Sequence, residues 1–327
     1  MLLNERTTAL PRPDLGAVAM AYDLAASQRG FVGRRMFPVF PSALQAGTFP
    51  VIPAQAFLRL IETRRAMGAG YSRSDFQFED DDFATREYGT EVALDDRRLQ
   101  LYGAQFTAQL RAEQVSVRRG IDILLRDQEK RYAALATDTA KLPHQAVAHA
   151  WSDPDTATPH DDVEAVCAVI ERYTGLTPNA VTLTKAAFRG VFKTKAFRDS
   201  DKYTRNIDTL PFEAKRRVLA EYFDVEEVLV AGGIVNLAQE GQDELLPGSI
   251  WPDDKVVVAR IASDPLNLEE PCLGRTFRWT MENPDDQPVV EEYREEQIRG
   301  TVYRVRHDVD EKYMFPACAM VLTGVSA

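Results

Sequence analysis

The chain has 327 residues, 45% of them hydrophobic, which is enough for a real core and for two lobes. Its 39 basic and 50 acidic side chains leave a net charge of −11, the opposite balance from a protein that grips nucleic acid through its body. Cys167, Cys272 and Cys318 are scattered without a CxxC, no apolar run reaches the roughly 18 to 20 residues of a membrane helix, and MLLNERTTALPRPDLG lacks a secretory apolar region, so a disulfide framework, a zinc site, a membrane span and export are not expected.

Residues 1 to about 48 read as an arm. Pro11, Pro13, Pro38, Pro41 and Pro50 punctuate this end of the chain, and only Leu15 to Ala26 has room for a short helix. The arm is basic: Arg6, Arg12, Arg29, Arg34 and Arg35 stand against Glu5, Asp14 and Asp23. In FVGRRMFPVF, Phe31, Met36, Phe37 and Phe40 are costly to leave in water and should bury on this subunit or on a neighbour.

From Phe49 to Leu94 the apolar period becomes two. Phe49 and Val51, then Phe76 and Phe78, then Thr90, Val92 and Leu94 alternate with other residues, which predicts a long hairpin. Its tip is ETRRAMGAGYSRSD, with turn glycines Gly68 and Gly70, Tyr71, and the arginines Arg64, Arg65 and Arg73. A lone two-stranded hairpin is marginal in water and needs a surface to lie on. The run Glu79, Asp80, Asp81, Asp82 invites a metal or acid/base reading. Neighbours on a strand point to opposite faces, however, so a solvated or partner-facing acidic edge is expected instead.

Asp95 to about Thr137 predicts a long amphipathic helix, the spine of the molecule. Phe106, Leu110, Val117, Ile121, Leu124, Leu125, Tyr132 and Leu135 form one stripe, Asp95-Asp96 suit its start, and Pro143 lies past its end. Thirty to forty residues at about 1.5 Å each span on the order of 50 Å. Gly103 and Gly120 each weaken such a helix by about 1 kcal/mol relative to alanine, so packing must hold it.

After the spine comes a helix starting near Thr158 or His160 to Asp162 and stopping at Gly175. His160, Asp161 and Asp162 lack a second cluster to complete four ligands, which favours helix-start chemistry over a metal. A strand at Ala180 to Leu183, helices at Lys185 to Lys193 and Pro211 to Tyr222, and strands at Val225 to Val230 and Lys255 to Ile261 alternate as in an α/β lobe. Gly232-Gly233 is expected to be a tight turn, since no GxGxxG or GK[ST] is present. The tail is β-rich. Phe277, Trp279 and Met281 alternate, Pro284 to Asp286 turns the chain, and Val289 to Arg294 returns. Thr301, Tyr303, Val305, His307 and Val309 share a face, and Met320 to Val325 closes a last strand. His307 on that face is expected to be a packed structural histidine.

No chemical motif emerges. His144, His149, His160 and His307 have no spacing for a metal site or dyad, and GxSxG and HExxH are absent. The unusual features, an arm, a hairpin and a long helix, are shapes that touch neighbours, so no catalytic site, metal or cofactor is expected.

Read in order, the segments FVGRRMFPVFPSALQAGTFPVIP, FATREYGTEVALDD, WSDPDTATPHDDVEAV, GLTPNAVTLTKAAFRGVF, FDVEEVLVAGGIVNLA, SIWPDDKVVVARI and GTVYRVRHDVDEKYMF resemble the major capsid proteins of tailed bacteriophages. The resemblance covers nearly the whole chain through order and spacing. It implies an α+β protein of the Hong Kong 97-type fold, with an N-terminal arm (1–48) and an E-loop (49–94). A peripheral domain would comprise the spine (95–158) and return strands (275–312), and an axial domain residues 159–274, with a final strand (313–327) rejoining it. It also implies self-assembly into hexamers and pentamers of an icosahedral shell around double-stranded DNA, built in the bacterial cytoplasm. Packaged DNA would be touched weakly and non-specifically, with no membrane partner.

Candidate subunit contacts are Phe31, Arg34, Arg35, Phe37, Arg64, Arg65, Tyr71, Arg73, Glu79, Asp80, Asp81 and Asp82. Some relatives carry a scaffolding region before the arm, whereas this chain starts almost at the arm; either a separate scaffold protein exists or the region was removed, and Met1 favours the former, with a portal and a possible cement or decoration protein also expected. The competing readings are an encapsulin-like nanocompartment and, more remotely, a soluble hydrolytic or metal enzyme using Asp80 to Asp82 or His160 with Asp161. The first lysine of the chain is Lys130, so an E-loop lysine crosslink like that of some relatives is ruled out by composition. Boiled, reduced particles should therefore run as monomer on a denaturing gel, and a ladder of oligomers would contradict this.

Overall fold

The structure is a computed structural model that describes residues 10–11, 30–51, 58, 60, 62–65, 67–68, 70–71, 79–97, 106–201, 210–238, 246–281 and 287–326. The predicted helix at 15–26, the alternation at Phe76 and Phe78 and the turn at 284–286 lie outside these residues. The strands are β1 (Leu10–Pro11), β2 (Val39–Ser42), β3 (Ala46–Val51), β4 (Glu79–Ala84), β5 (Arg86–Asp95), β6 (His144–Ala146), β7 (Ala180–Thr184) and β8 (Glu227–Ala231). They continue as β9 (Ile234–Asn236), β10 (Pro247–Ser249), β11 (Lys255–Ala259), β12 (Gly274–Trp279), β13 (Val289–Glu295), β14 (Gly300–Tyr313) and β15 (Ala319–Thr323). The helices are α1 (Gly33–Met36), α2 (Phe106–Ala136), α3 (Pro159–Thr174), α4 (Lys185–Val191), α5 (Lys195–Asp201) and α6 (Phe212–Phe223). Among the described residues, no helix is long and apolar enough to cross a membrane.

The spine is α2, 31 residues long. Its buried stripe, Val117, Ile121, Leu124, Leu125, Tyr132, Ala133 and Ala136, follows the spacing read from the sequence. The expected start at Asp95-Asp96 is present: Asp95 ends β5 opposite Gly300 of β14 and accepts the Arg97 N–H at 2.8 Å, Asp96 and Arg97 are helical, and Asp96 pairs with Arg294 at 2.7 Å; residues 98–105, between this turn and Phe106, lie outside the described residues. At the other end, the Tyr313 hydroxyl donates to the Leu135 carbonyl at 2.6 Å and the Lys255 ammonium to that of Thr137 at 3.0 Å. These donors satisfy carbonyls that a helix end leaves unpaired.

Two sheets pack on this one helix. The six-stranded sheet has the order β1-β13-β14-β12-β2, with β5 also paired to β14. Its inner face, Leu94, Val290, Tyr303 and Val305, meets Val117, Ile121, Leu124 and Leu125 in the first part of the spine. Its outer face is a charged ladder: Arg304 lies opposite both Glu91 and Glu291 in register, at 2.8 and 3.5 Å, and Arg306 reaches Glu291 at 2.9 Å. This two-face alternation on β14 is the one the tail sequence predicts. The sequence-based hairpin extends to Leu94, whereas β5 leaves it and runs antiparallel to β14 over ten pairs, because Tyr303 and Val305 give its apolar face a partner.

The second sheet has the order β6-β15-β11-β7-β8, with parallel pairs at its edges and antiparallel pairs at its centre. Every residue of β7 is buried, as expected of a strand covered on both faces. One face carries Val181, Leu183, Val228, Val230, Val256 and Val258 against α3, α4 and α6; the other turns Ala180, Leu229, Val257, Ala259 and Val321 toward Tyr132, Ala133 and Ala136 at the end of the spine. The segment from His144 to Trp151 packs with this sheet, since β6 pairs with β15 and Trp151 is buried beside Phe223. Helix α3 begins at Pro159 and stops at Gly175, whose N–H returns to the Glu171 carbonyl.

Gly120 explains itself in this packing. A Cβ there would lie 2.9 Å from Val305 Cγ2, so the glycine lets helix and sheet approach closely. Alanine would gain about 1 kcal/mol of helix propensity, but the overpacking should cost about 1–3 kcal/mol. Gly120→Ala should therefore lower the midpoint of urea unfolding; a raised midpoint would show that the sheet yields freely.

Candidate subunit interface

The root of the arm is fastened before any surface is offered outward. Glu129 stands on the buried stripe of the spine, 2% exposed. Its carboxylate accepts the Val32 N–H at 2.9 Å, the Gly33 N–H at 3.1 Å and the Trp251 Nε1–H at 2.8 Å. Burial raises its pKa above the ordinary glutamate value, while these donors pull the other way. Gly33 lies flat beneath Tyr132, where a Cβ would come within 2.2 Å of the ring. Beside it, Phe37 stacks on Tyr132 at 5.5 Å, Thr276 Oγ1 donates to the Phe37 carbonyl at 3.0 Å, and β2 runs parallel to β12. The Gly232 N–H donates to the Gly30 carbonyl at 3.0 Å, so Gly232-Gly233, which separates β8 from β9 without forming the expected tight turn, receives the arm.

Four candidate contacts lie in this root. Phe37 is fully buried within its own chain and is a core residue, because Tyr132 already fills the role a neighbour was expected to play. Met36 is likewise buried here. Phe31 is half-buried, with the Arg126 guanidinium 5.9 Å from its ring centre. Arg34 is half-buried beside His307, and exposed Arg35 pairs with Glu227 at 2.8 Å.

The other candidates belong to the hairpin. β3 and β4 pair antiparallel from Ala46↔Ala84 to Val51↔Glu79. The base lies on this subunit: Phe49 and Phe83 stack on Phe277 at 5.1 and 4.4 Å, and the Ala84 N–H donates to Asp310 at 2.9 Å. Beyond the base, the described residues are exposed. Leu60 and Met67 are 98% and 106% exposed, Arg64 and Arg65 are exposed, and Arg65 covers the Tyr71 ring at 4.7 Å. Arg73 lies outside the described residues. Asp80, Asp81 and Asp82 are exposed along β4, and the Asp82 N–H donates to Asp81 Oδ1 at 2.8 Å. Glu79 begins that strand.

The other readings of the sequence have definite positions too. Among the described residues, His160, Asp161 and Glu164 place donor atoms within 4.8 Å of one another at the exposed start of α3. Asp162, the third member of the sequence cluster, instead accepts the Trp151 Nε1–H at 2.9 Å. His307 is packed, 6% exposed, and meets Tyr88 edge-on. The residue that sequence reasoning missed is Glu129. A carboxylate in phase with Leu125 and Tyr132 on the stripe was the available signal.

No family model matches the chain, and no curated protein matches it significantly in sequence. Solved structures do match. A phage-related protein from Bordetella bronchiseptica superposes with a TM-score of 0.72 at 23% identity, covering 97% of this chain and 98% of that one. The capsid of cyanophage P-SCSP1u gives 0.55 at 10% identity over 100% and 91%, and a virus-like particle from Pyrococcus furiosus 0.56 at 11% over 95% and 98%. The fold is the Hong Kong 97-type capsid fold.

Replacing Glu129 by alanine strands three buried donors and should cost roughly 3 kcal/mol or more in urea unfolding. Because the folded-state pKa is raised, the stability tied to this carboxyl is full below its unfolded value and is lost as pH rises through the folded one. The stability of the parent chain relative to Glu129→Gln should therefore fall with rising pH across that window; a flat difference would show that the carboxyl is not perturbed.

Proposed function

We propose that the chain is the major capsid protein of a tailed bacteriophage, a tile that forms hexamers and pentamers of an icosahedral shell around double-stranded DNA. The observation that carries this reading is the hairpin tip: Leu60 and Met67 project from a capsid fold with no burial in their own chain. Burying such side chains is worth about 1.5–3 kcal/mol each, and a neighbouring copy is the surface a closed shell supplies. The tip arginines Arg64, Arg65 and Arg73 would meet the acidic strand Glu79 to Asp82 of that neighbour. Phe31 and Arg35 would lie at the edge of the same contact. With a net charge of −11, the shell would enclose DNA without holding it tightly. A separate scaffold protein, a portal and a cement protein would complete the assembly.

A cargo-holding compartment built on the same shell fold is the second reading. Negative-stain images of the expressed chain, with and without its genomic neighbours, should show closed shells or capsomer rings. DNA in purified native particles supports the phage reading and a captured protein the compartment. A monodisperse small oligomer under all conditions would sink both. Arg64→Ala with Arg65→Ala should leave the unfolding midpoint within about 0.5 kcal/mol of the parent and reduce the yield of shells.

A further inference from the structure

The spine has a second face. Its buried stripe takes both sheets, and on the side turned to solvent Arg118, Arg119 and Lys130 are exposed. Their side chains make no hydrogen bond or ion pair among the described residues. The acids of the same stretch are already answered: Asp122 pairs with Arg126 at 2.9 Å, and Asp127 with Arg131. The sheet on the other side of this layer is different. On its outer face Arg304 and Arg306 each lie against carboxylates, at 2.8 and 2.9 Å. A chain with 50 acidic and 39 basic side chains thus leaves three cations of one helix without an acidic partner.

We propose that this face of the spine is the surface that meets packaged double-stranded DNA, through the backbone phosphates and without reading sequence. Arg119 and Lys130 are eleven residues, or three helical turns, apart, so they stand on one line about 16 Å long with Arg118 beside its first member. Packing against both sheets holds that line in place. DNA carries a charge for about every 1.7 Å of its axis, so such a line finds phosphates in any register. A folded protein partner is less suited to it. Val115 and Ile123 are the large apolar side chains that the described residues of the spine expose, few for an interface that buries about 800 Å² on each side. Three phosphate contacts in a tile of net charge −11 also keep the hold on DNA weak.

The inference rests on the shell reading for the source of the DNA, and it orients the tile. The spine covers the inner face of the six-stranded sheet, so its solvent face and the charged ladder lie on opposite sides of one layer. The spine then lines the interior of the shell, and the ladder, whose charges answer one another, looks outward.

The test follows a fluorescein-labelled DNA duplex of random sequence by anisotropy as the purified full-length chain, kept unassembled, is added across a salt series. Three phosphate contacts give a slope of about −2.7 in log affinity against log salt, a loss of about 40-fold between about 20 and about 80 mM. The triple variant Arg118→Ala, Arg119→Ala, Lys130→Ala should reduce that loss to below about threefold. Its yield of shells should match the parent's, because exposed helix positions accept alanine. Arg64→Ala with Arg65→Ala should do the reverse, keeping the salt slope and lowering the yield of shells. A parent slope near zero, or one that the triple variant keeps, overturns the inference even where shells form. Tighter binding of polyglutamate than of the duplex also overturns it and assigns the face to an acidic protein segment. A slope that depends on the three cations in a chain that never forms shells would sink the shell reading and leave the DNA contact standing.

Discussion

Taking the Glu129 carboxylate out of water costs several kcal/mol unless donors meet it. The donors that do so come from distant parts of the chain: the Val32 and Gly33 amides lie almost a hundred residues before it, and the Trp251 indole more than a hundred after. None of them can be supplied by the helix that carries Glu129. The carboxylate is therefore comfortable only when arm root, spine and second sheet are all in place, which couples three pieces that could otherwise fold independently. Hydrogen bonding to backbone amides also fixes the direction in which the arm leaves the helix. The parallel pairing of β2 with β12 follows from that direction.

The spine carries two sheets on successive lengths of a single stripe. Its first part needs close approach, and Gly120 provides it beneath Val305. Its second part needs bulk, and Tyr132 provides that, filling the space over Gly33 and stacking on Phe37. A substitution at either end of the stripe changes where one sheet sits relative to the helix, and through the helix where the other sits. The lobes are thus not joined by a linker but by a shared core element, with Tyr313 and Lys255 from opposite sheets both closing its last turn.

Much of this was legible in the sequence where periodicity is the cause. The spine stripe, the two-faced β14, the strand β7 and the glycine stop of α3 all follow from local pattern. What was not legible depends on pairing at a distance. The departure of β5 from the hairpin is decided by Tyr303 and Val305, some two hundred residues away, and β6 is claimed by β15 at the end of the chain. Phe37 was readable as a residue that must be buried, but its partner Tyr132 was not, so a neighbouring copy and the same chain were equally good hosts. The same limit applies near His160: the sequence grouped it with Asp161 and Asp162, but Glu164 takes the third place and the Asp162 carboxylate is taken by Trp151.

The hairpin shows how one element divides its energy between its own subunit and another. At the base, three phenylalanine rings stack or pack on Phe277 and the Asp310 carboxylate fixes the Ala84 amide, so the direction of projection is set within the chain. At the tip, Leu60 and Met67 stand almost wholly exposed. If a neighbouring copy covers them, they supply the burial. The arginines, in exposed pairs worth only about 0–1 kcal/mol each, supply register more than affinity. Contacts of that size are weak singly and strong when every tile in a closed ring makes them at once.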